Sequence, residues 1–330
     1  MSYLLNRLTL VILAVLISGC SIIAETEITG VVRDKGSIEA IYFCPRDNCT
    51  TKLSEFILTA DESVHCALFD LDLDEVIDAL KSKNIDVKLV VDNDNYEFVD
   101  HLKFAKQDTS SQLSHNKFCI IDNKRISTGS FNPTFNGANK NNNNLIILES
   151  KTLANNYEKE FQELWNEKFG KGEKVNNPII YLNKTKTENY FCPEDNCGEK
   201  IKNILMKAEK EIYFMTFSFT HESIANALLL KNLDNISIKG IFEKRGSGSE
   251  YSKFNVLDYQ GIKVRKDSNG GVMHHKVFII DNNTVITGSF NPSKNADTRN
   301  DENILIIYNQ ETAKKYLEEF KYIWENYTEK

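Results

Sequence analysis

A basic excess is missing from these 330 residues. Lys and Arg number 40 against 47 Asp and Glu, giving a formal net charge of −7. That excludes a polybasic surface of the kind that grips nucleic acid all along its phosphates. A local basic cleft is still possible. Proline is scarce at 5 residues and glycine amounts to 15, too little for a long flexible or proline-rich linker. No apolar run approaches a comfortable membrane span; the longest covers residues 8–17. What remains is ordinary globular material, 41% hydrophobic and 26% charged, long enough for two domains.

The apolar run follows Arg7 and ends in Ile17-Ser18-Gly19-Cys20. This segment resembles a bacterial lipoprotein signal, with residues 1–20 forming the signal and its lipobox and Cys20 carrying the lipid after cleavage. An uncleaved anchor is the alternative. Either way the body is expected outside the cytoplasm, held at the outer side of the membrane or cell surface by its N-terminus. The chain has seven cysteines, and setting Cys20 aside leaves an even number. Cys44-Pro-Arg-Asp-Asn-Cys49 and Cys192-Pro-Glu-Asp-Asn-Cys197 are duplicates of each other. In an oxidising compartment each reads as a local disulfide, worth roughly 2 kcal/mol on the chain-entropy model. A zinc site assembled from both pairs is the rival reading. Cys66 and Cys119 are replaced together by Phe214 and Phe278 in the second half, so each pair is expected to touch in the core, as a disulfide or as buried thiols in the first case.

The duplication extends through the whole body. Tyr42-Phe43-Cys44-Pro45 opens one copy and Tyr190-Phe191-Cys192-Pro193 the other. Helix, buried strand, helix and strand follow in each. Each copy closes on a helix whose aromatic trio recurs at spacing four: Tyr157, Phe161 and Trp165, then Tyr316, Phe320 and Trp324. That spacing puts each trio on one face, read as core. Residues 28–170 and 188–330 are the two expected domains, with 171–187 as the connector. Strand–helix alternation predicts an α/β fold, mixed sheets flanked by helices. The second copy is longer ahead of its motif, near Lys244-Arg245-Gly246-Ser247, where a basic loop could rim a cleft.

Each copy carries the same chemistry. The first reads His115-x-Lys117, Asp122, Gly129-Ser130 and Asn132. The second reads His274-x-Lys276, Asp281, Gly288-Ser289 and Asn291. Residues two apart on a strand share a face, so each His projects beside its Lys. Glycine permits close backbone approach, and Ser and Asn offer donors to an anionic oxygen. Asp122 and Asp281 fall at turns and read as supports. His275 should face away from His274. Two such runs brought together would make a phosphate site, with one His attacking phosphorus and the other protonating the leaving oxygen.

These runs resemble the phospholipase D superfamily, whose signature is H-x-K-x4-D-x6-G-S-x-N. The resemblance covers nearly all of the chain beyond the N-terminal segment. It implies two phospholipase D-like halves related by a pseudo-twofold, a phosphohistidine intermediate, no cofactor and no metal, and a monomeric catalytic unit. Asn300-x-Glu302 completes the longer family pattern in the second copy, whereas the first has Asn141-x-Asn143. In two-motif relatives the acidic residue of one half commonly supports the His of the other. Carried over, Glu302 would orient His115, making His115 the nucleophile and His274 the acid. The expected substrate is a phosphodiester, first of all phospholipid. DNA or RNA cleaved by an exported endonuclease is one alternative, and a silent phosphate- or lipid-binding module is the other.

Overall fold

The computed structural model describes residues 31–329. The expected N-terminal signal, including Cys20, lies outside them. Among the described residues no helix is long and apolar enough to cross a membrane.

Two sheets organise the body. The first has seven strands in the order Ser37–Cys44, Asn143–Glu149, Arg125–Gly129, Lys117–Ile121, Ser63–Leu68, Asp86–Val91 and Ala105–Gln107. The second repeats that order with Thr185–Cys192, Glu302–Tyr308, Thr284–Gly288, Lys276–Ile280, Glu211–Thr216, Ser237–Phe242 and Lys263–Asp267. Both are mixed sheets. Ser63–Leu68 runs parallel to Asp86–Val91 and antiparallel to Lys117–Ile121, and the second half does the same. The parallel steps are bridged by helices, Asp74–Lys81 and Glu222–Leu233, as crossover connections require.

Three more strands extend the second sheet. Thr328–Glu329 pairs at one edge. At the other edge Ile179–Leu182 pairs with Thr185–Cys192, and Val31–Asp34 lies parallel to Ile179–Leu182. The second part of the expected connector 171–187 is therefore mostly strand. Its Ile180 and Leu182 are buried in alternation, a period-two signal too short to stand out between Asn- and Lys-rich flanks. Val31–Asp34, which falls in the 28–170 half by sequence, joins the sheet of the other half.

The closing helices, Lys151–Trp165 and Gln310–Asn326, form by ordinary rules. Ser150 and Asn309 cap them, accepting from the backbone N–H groups of Leu153 and Thr312 at 3.0 and 2.8 Å. Leu153, Tyr157, Phe161 and Leu164 then bury one face. That face meets Phe118, Ile120 and Ile146 of its own sheet, and Phe191, Leu305 and Ile307 of the other. The second helix mirrors this, packing Tyr316 and Phe320 against Met215 and Ile279, with Phe43 coming across. The halves thus share two inner cores. Each half keeps an outer core of its own beneath its remaining helices.

Both duplicated cysteine pairs form local disulfides, Cys44–Cys49 and Cys192–Cys197. Cys66 and Cys119 are also bonded, directly opposite each other on neighbouring strands. Their replacements Phe214 and Phe278 stand in the same register, ring centroids 5.9 Å apart.

Candidate active site

The two motifs meet where the halves join. Each His enters on backbone borrowed from the opposite half. His115 N–H donates to the Asp301 carbonyl at 2.9 Å, and His274 N–H to the Asn142 carbonyl at 3.0 Å. The strands after them point Lys117 and Lys276 inward. Each ammonium donates to the carbonyl of its own histidine, at 2.5 and 2.9 Å. All four side chains are nearly enclosed; His115 is 6% and His274 8% exposed.

The imidazoles are anchored crosswise and unequally. His115 Nδ1 lies 2.9 Å from Glu302 Oε2, which also accepts from the Ser289 hydroxyl at 2.6 Å. His274 Nδ1 lies 2.7 Å from Asn143 Oδ1 and 3.1 Å from the Ser130 carbonyl. The Asn143 amino group donates to the Gly137 carbonyl at 3.0 Å, so its oxygen is the end facing His274. Two acceptors at Nδ1 fix the His274 proton there and leave Nε2 for chemistry.

Behind them lies a symmetric buried network that sequence reading did not pick out. The Asn303 side chain accepts from the Thr128 and Tyr157 hydroxyls and donates to Asn116. The Asn144 side chain accepts from the Thr287 and Tyr316 hydroxyls, and its amino group reaches His275 Nδ1. The Ser130 and Ser289 hydroxyls also receive the backbone N–H of Asn144 and Asn303. The Asn-rich run 139–144 enters the strand at Asn143. The repeat of Asn144 as Asn303 was the available signal.

The remaining motif residues brace this arrangement. Asp122 accepts from the backbone N–H groups of Asp61, Glu62 and Ser63, and Asp281 from those of Glu209, Lys210 and Glu211. They pin the start of the strand beside each motif strand. Gly129 and Gly288 have φ of 132° and 138°. A Cβ at Gly129 would sit 2.3 Å from the Asn144 carbonyl. Asn132 and Asn291 are half-buried, each with an enclosed side-chain oxygen that has no protein partner.

Burial dominates the electrostatics. It holds both imidazoles well below their usual range, and the two lysine charges push the same way. Burial lowers Lys117 to about 7, against the opposing pull of Glu302, Asp92 and Asp70. Lys276 is also driven well down by burial, then by Lys117. Glu302 is raised by burial to about 8, although Lys117 and the Ser289 hydroxyl favour its ionised form. The empty site thus favours neutrality, and an arriving anionic phosphate would return protons to it.

Phe69 and Phe217 lie edge-on to His115 and His274, centroids 4.9 and 5.1 Å apart. Lys244 and Arg245 follow the strand that ends at Phe242. Glu243, just before them, accepts from the Met273 N–H at 2.8 Å, while the Lys244 ammonium pairs with Glu329 at 2.6 Å. A cavity of about 310 Å³ opens between Phe217 and Arg245.

Comparison with known proteins agrees with this geometry. The family described as cardiolipin synthase, PLD-like domain, matches residues 53–165 and 201–324. A phospholipase D of Rickettsia conorii is 35% identical over 140 residues, 42% of this chain and 70% of that protein. A mitochondrial cardiolipin hydrolase of Xenopus tropicalis is 30% identical over 46% of this chain and 71% of its own length. The crystal structure of a phosphatidylserine synthase from Haemophilus influenzae shares the fold, with a TM-score of 0.67 over 88% of this chain and 87% of that one at 13% identity. With two matched segments covering most of its length, and two equivalent half-sites closing on one centre, the chain belongs to the phospholipase D superfamily.

Proposed function

We propose that the chain is a phosphodiesterase that cleaves phospholipid through a phosphohistidine at His115, while tethered outside the cytoplasm by its N-terminus. The unequal anchoring of two otherwise equivalent histidines carries this reading. Glu302 faces His115 with a carboxylate, and Asn143 faces His274 with a neutral amide. A carboxylate at Nδ1 makes Nε2 more basic and balances the charge that phosphorylation brings. An amide orients the ring without that gain.

His115 Nε2 attacks phosphorus, and the departing ester oxygen takes the proton from His274 Nε2. Water then attacks the phosphohistidine and gives its proton to His274. The P–N bond breaks and His115 is restored. Lys117 and Lys276 meet the charge on the non-bridging oxygens, and Asn132 and Asn291 add polar groups at the same oxygens. Lipid is favoured over nucleic acid by the acidic body and by the relatives named as phospholipase D and cardiolipin hydrolase.

The test uses the full chain with His115→Ala and His274→Asn beside it, in EDTA-containing buffer, on phospholipid vesicles and on plasmid DNA. Head-group release that disappears in His115→Ala, with a phosphoenzyme trapped in His274→Asn, is the expected result. Nicking without head-group release would move the chain to the nucleases. Turnover of neither would leave a silent binding module. Label retained in His115→Asn and lost in His274→Asn would reverse the two roles.

A further inference from the structure

Strands Ser63–Leu68 and Glu211–Thr216 end directly at the site, delivering Phe69 and Phe217 onto the two histidines. Their parallel neighbours Asp86–Val91 and Ser237–Phe242 end on the same side. The connections leaving these ends, and the one leaving Arg125–Gly129 on the same side, carry large aromatic side chains that stay partly exposed among the described residues. Phe98 is 47% exposed, Phe135 58%, Phe217 37% and Tyr251 68%. All four sit on segments tied to the floor of the cleft. The turn holding Phe98 is bonded to the Phe69 carbonyl through Asn95 at 2.9 Å. Phe135 N–H donates to Asp72 at 2.6 Å. Phe217 N–H donates to the His275 carbonyl at 3.1 Å. The loop holding Tyr251 returns to the Phe219 carbonyl through the Lys253 N–H at 2.9 Å.

Exposed aromatics ringing a cleft are costly in water, and they suit a boundary where the ring enters an apolar layer while backbone and hydroxyl stay wet. The charge around them selects the partner. Asp70, Asp72 and Asp94 stand on the first-half side of the cleft, and the chain as a whole is acidic. A polyanionic strand crossing this rim would meet those carboxylates on the first-half side, the basic pair Lys244 and Arg245 standing only on the other. A lipid surface presents one phosphate at a time to the centre and hydrocarbon to the rim. We propose that Phe98, Phe135, Phe217 and Tyr251 form an interfacial rim that inserts into a lipid surface and seats the cleft over a head group. This deepens the lipid reading above and rests on it.

Position-specific quenching tests it in the full chain. Trp replaces Phe135, Tyr251 or, as a control, Tyr259, which is exposed at the far end of its helix. The two native tryptophans, Trp165 and Trp324, are common background. Vesicles of phosphatidylcholine and phosphatidylglycerol with brominated acyl chains should quench the added emission in Phe135→Trp and Tyr251→Trp and leave it in Tyr259→Trp. Phe135→Ser with Tyr251→Ser should slow vesicle hydrolysis by about tenfold or more per ring, while turnover of soluble bis(4-nitrophenyl) phosphate stays at the parent level. Equal quenching at all three positions, or none at 135 and 251, would overturn the rim. So would emission that responds to single-stranded DNA and not to vesicles. If the parent fails on the soluble diester, the phosphodiesterase reading falls, whereas the quenching pattern still decides the rim.

Discussion

Replacing Glu302 with Gln separates the electrostatic role of this residue from its steric one. The first half already shows that an amide can hold a histidine in this frame, since Asn143 accepts from His274 and is itself held by the Gly137 and Asn141 carbonyls. In the second half the repeat places Ala296 and Asn300 at the corresponding positions, so a glutamine amino group has carbonyls to reach for and the fold should tolerate it. What disappears is the carboxyl behind His115, which can take up negative charge as the imidazole becomes positive. A buried hydrogen bond to a charged group is worth roughly 1.5–3 kcal/mol, and about 1.4 kcal/mol is tenfold in rate. Glu302→Gln should therefore lower kcat/KM by about 10- to 100-fold with the melting temperature nearly unchanged. The loss should appear in formation of the phosphoenzyme, measured by single-turnover quench. Asn143→Asp, which gives His274 the carboxylate instead, should not reproduce it. An unchanged phosphorylation rate in Glu302→Gln would refute the assignment of His115 as nucleophile, and so would equal losses in the two variants.

Other outcomes follow from the same geometry. Lys117, lowered to about 7, is charged below that pH and neutral above it. The pH profile of kcat/KM should then fall as pH rises through that range, and Lys117→Arg, which keeps its charge, should move that limb upward; an unmoved limb would exclude Lys117 as its origin. Gly129→Ala puts a Cβ against the Asn144 carbonyl at a positive φ, and should cost about 1–3 kcal/mol of stability in a denaturant melt. The disulfide joining Cys66 and Cys119 closes a loop of sequence separation 53. Removing both cysteines should cost about 4 kcal/mol on the chain-entropy model, twice the loss expected at Cys44–Cys49.

The repeat, the motif residues and the mixed α/β architecture were all legible in the sequence, because they rest on spacing within one strand or helix. The Cys-to-Phe exchange was legible for a related reason: two positions that changed together turned out to face each other across adjacent strands. The crosswise support of His115 by Glu302 was reachable only through resemblance to a family, since no local pattern says which half answers which. Ile179–Leu182 and Val31–Asp34 were missed because each is four residues long and acquires its meaning from a partner far away in sequence. Asn144 and Asn303 were missed because a buried amide serving hydroxyls from the opposite half looks, in one dimension, like part of a polar loop.

The crosswise anchoring also sets when the site can exist. His115 lies in the first half, but its backbone acceptor is Asp301 and its carboxylate is Glu302. Both come late in a chain of 330 residues. During synthesis the first motif is present but His115 has no support. Reactivity therefore arrives only when the last long strand docks. A phosphodiesterase built this way stays silent toward the phosphodiesters around it until its two halves have folded together, with order of emergence serving as its safety catch.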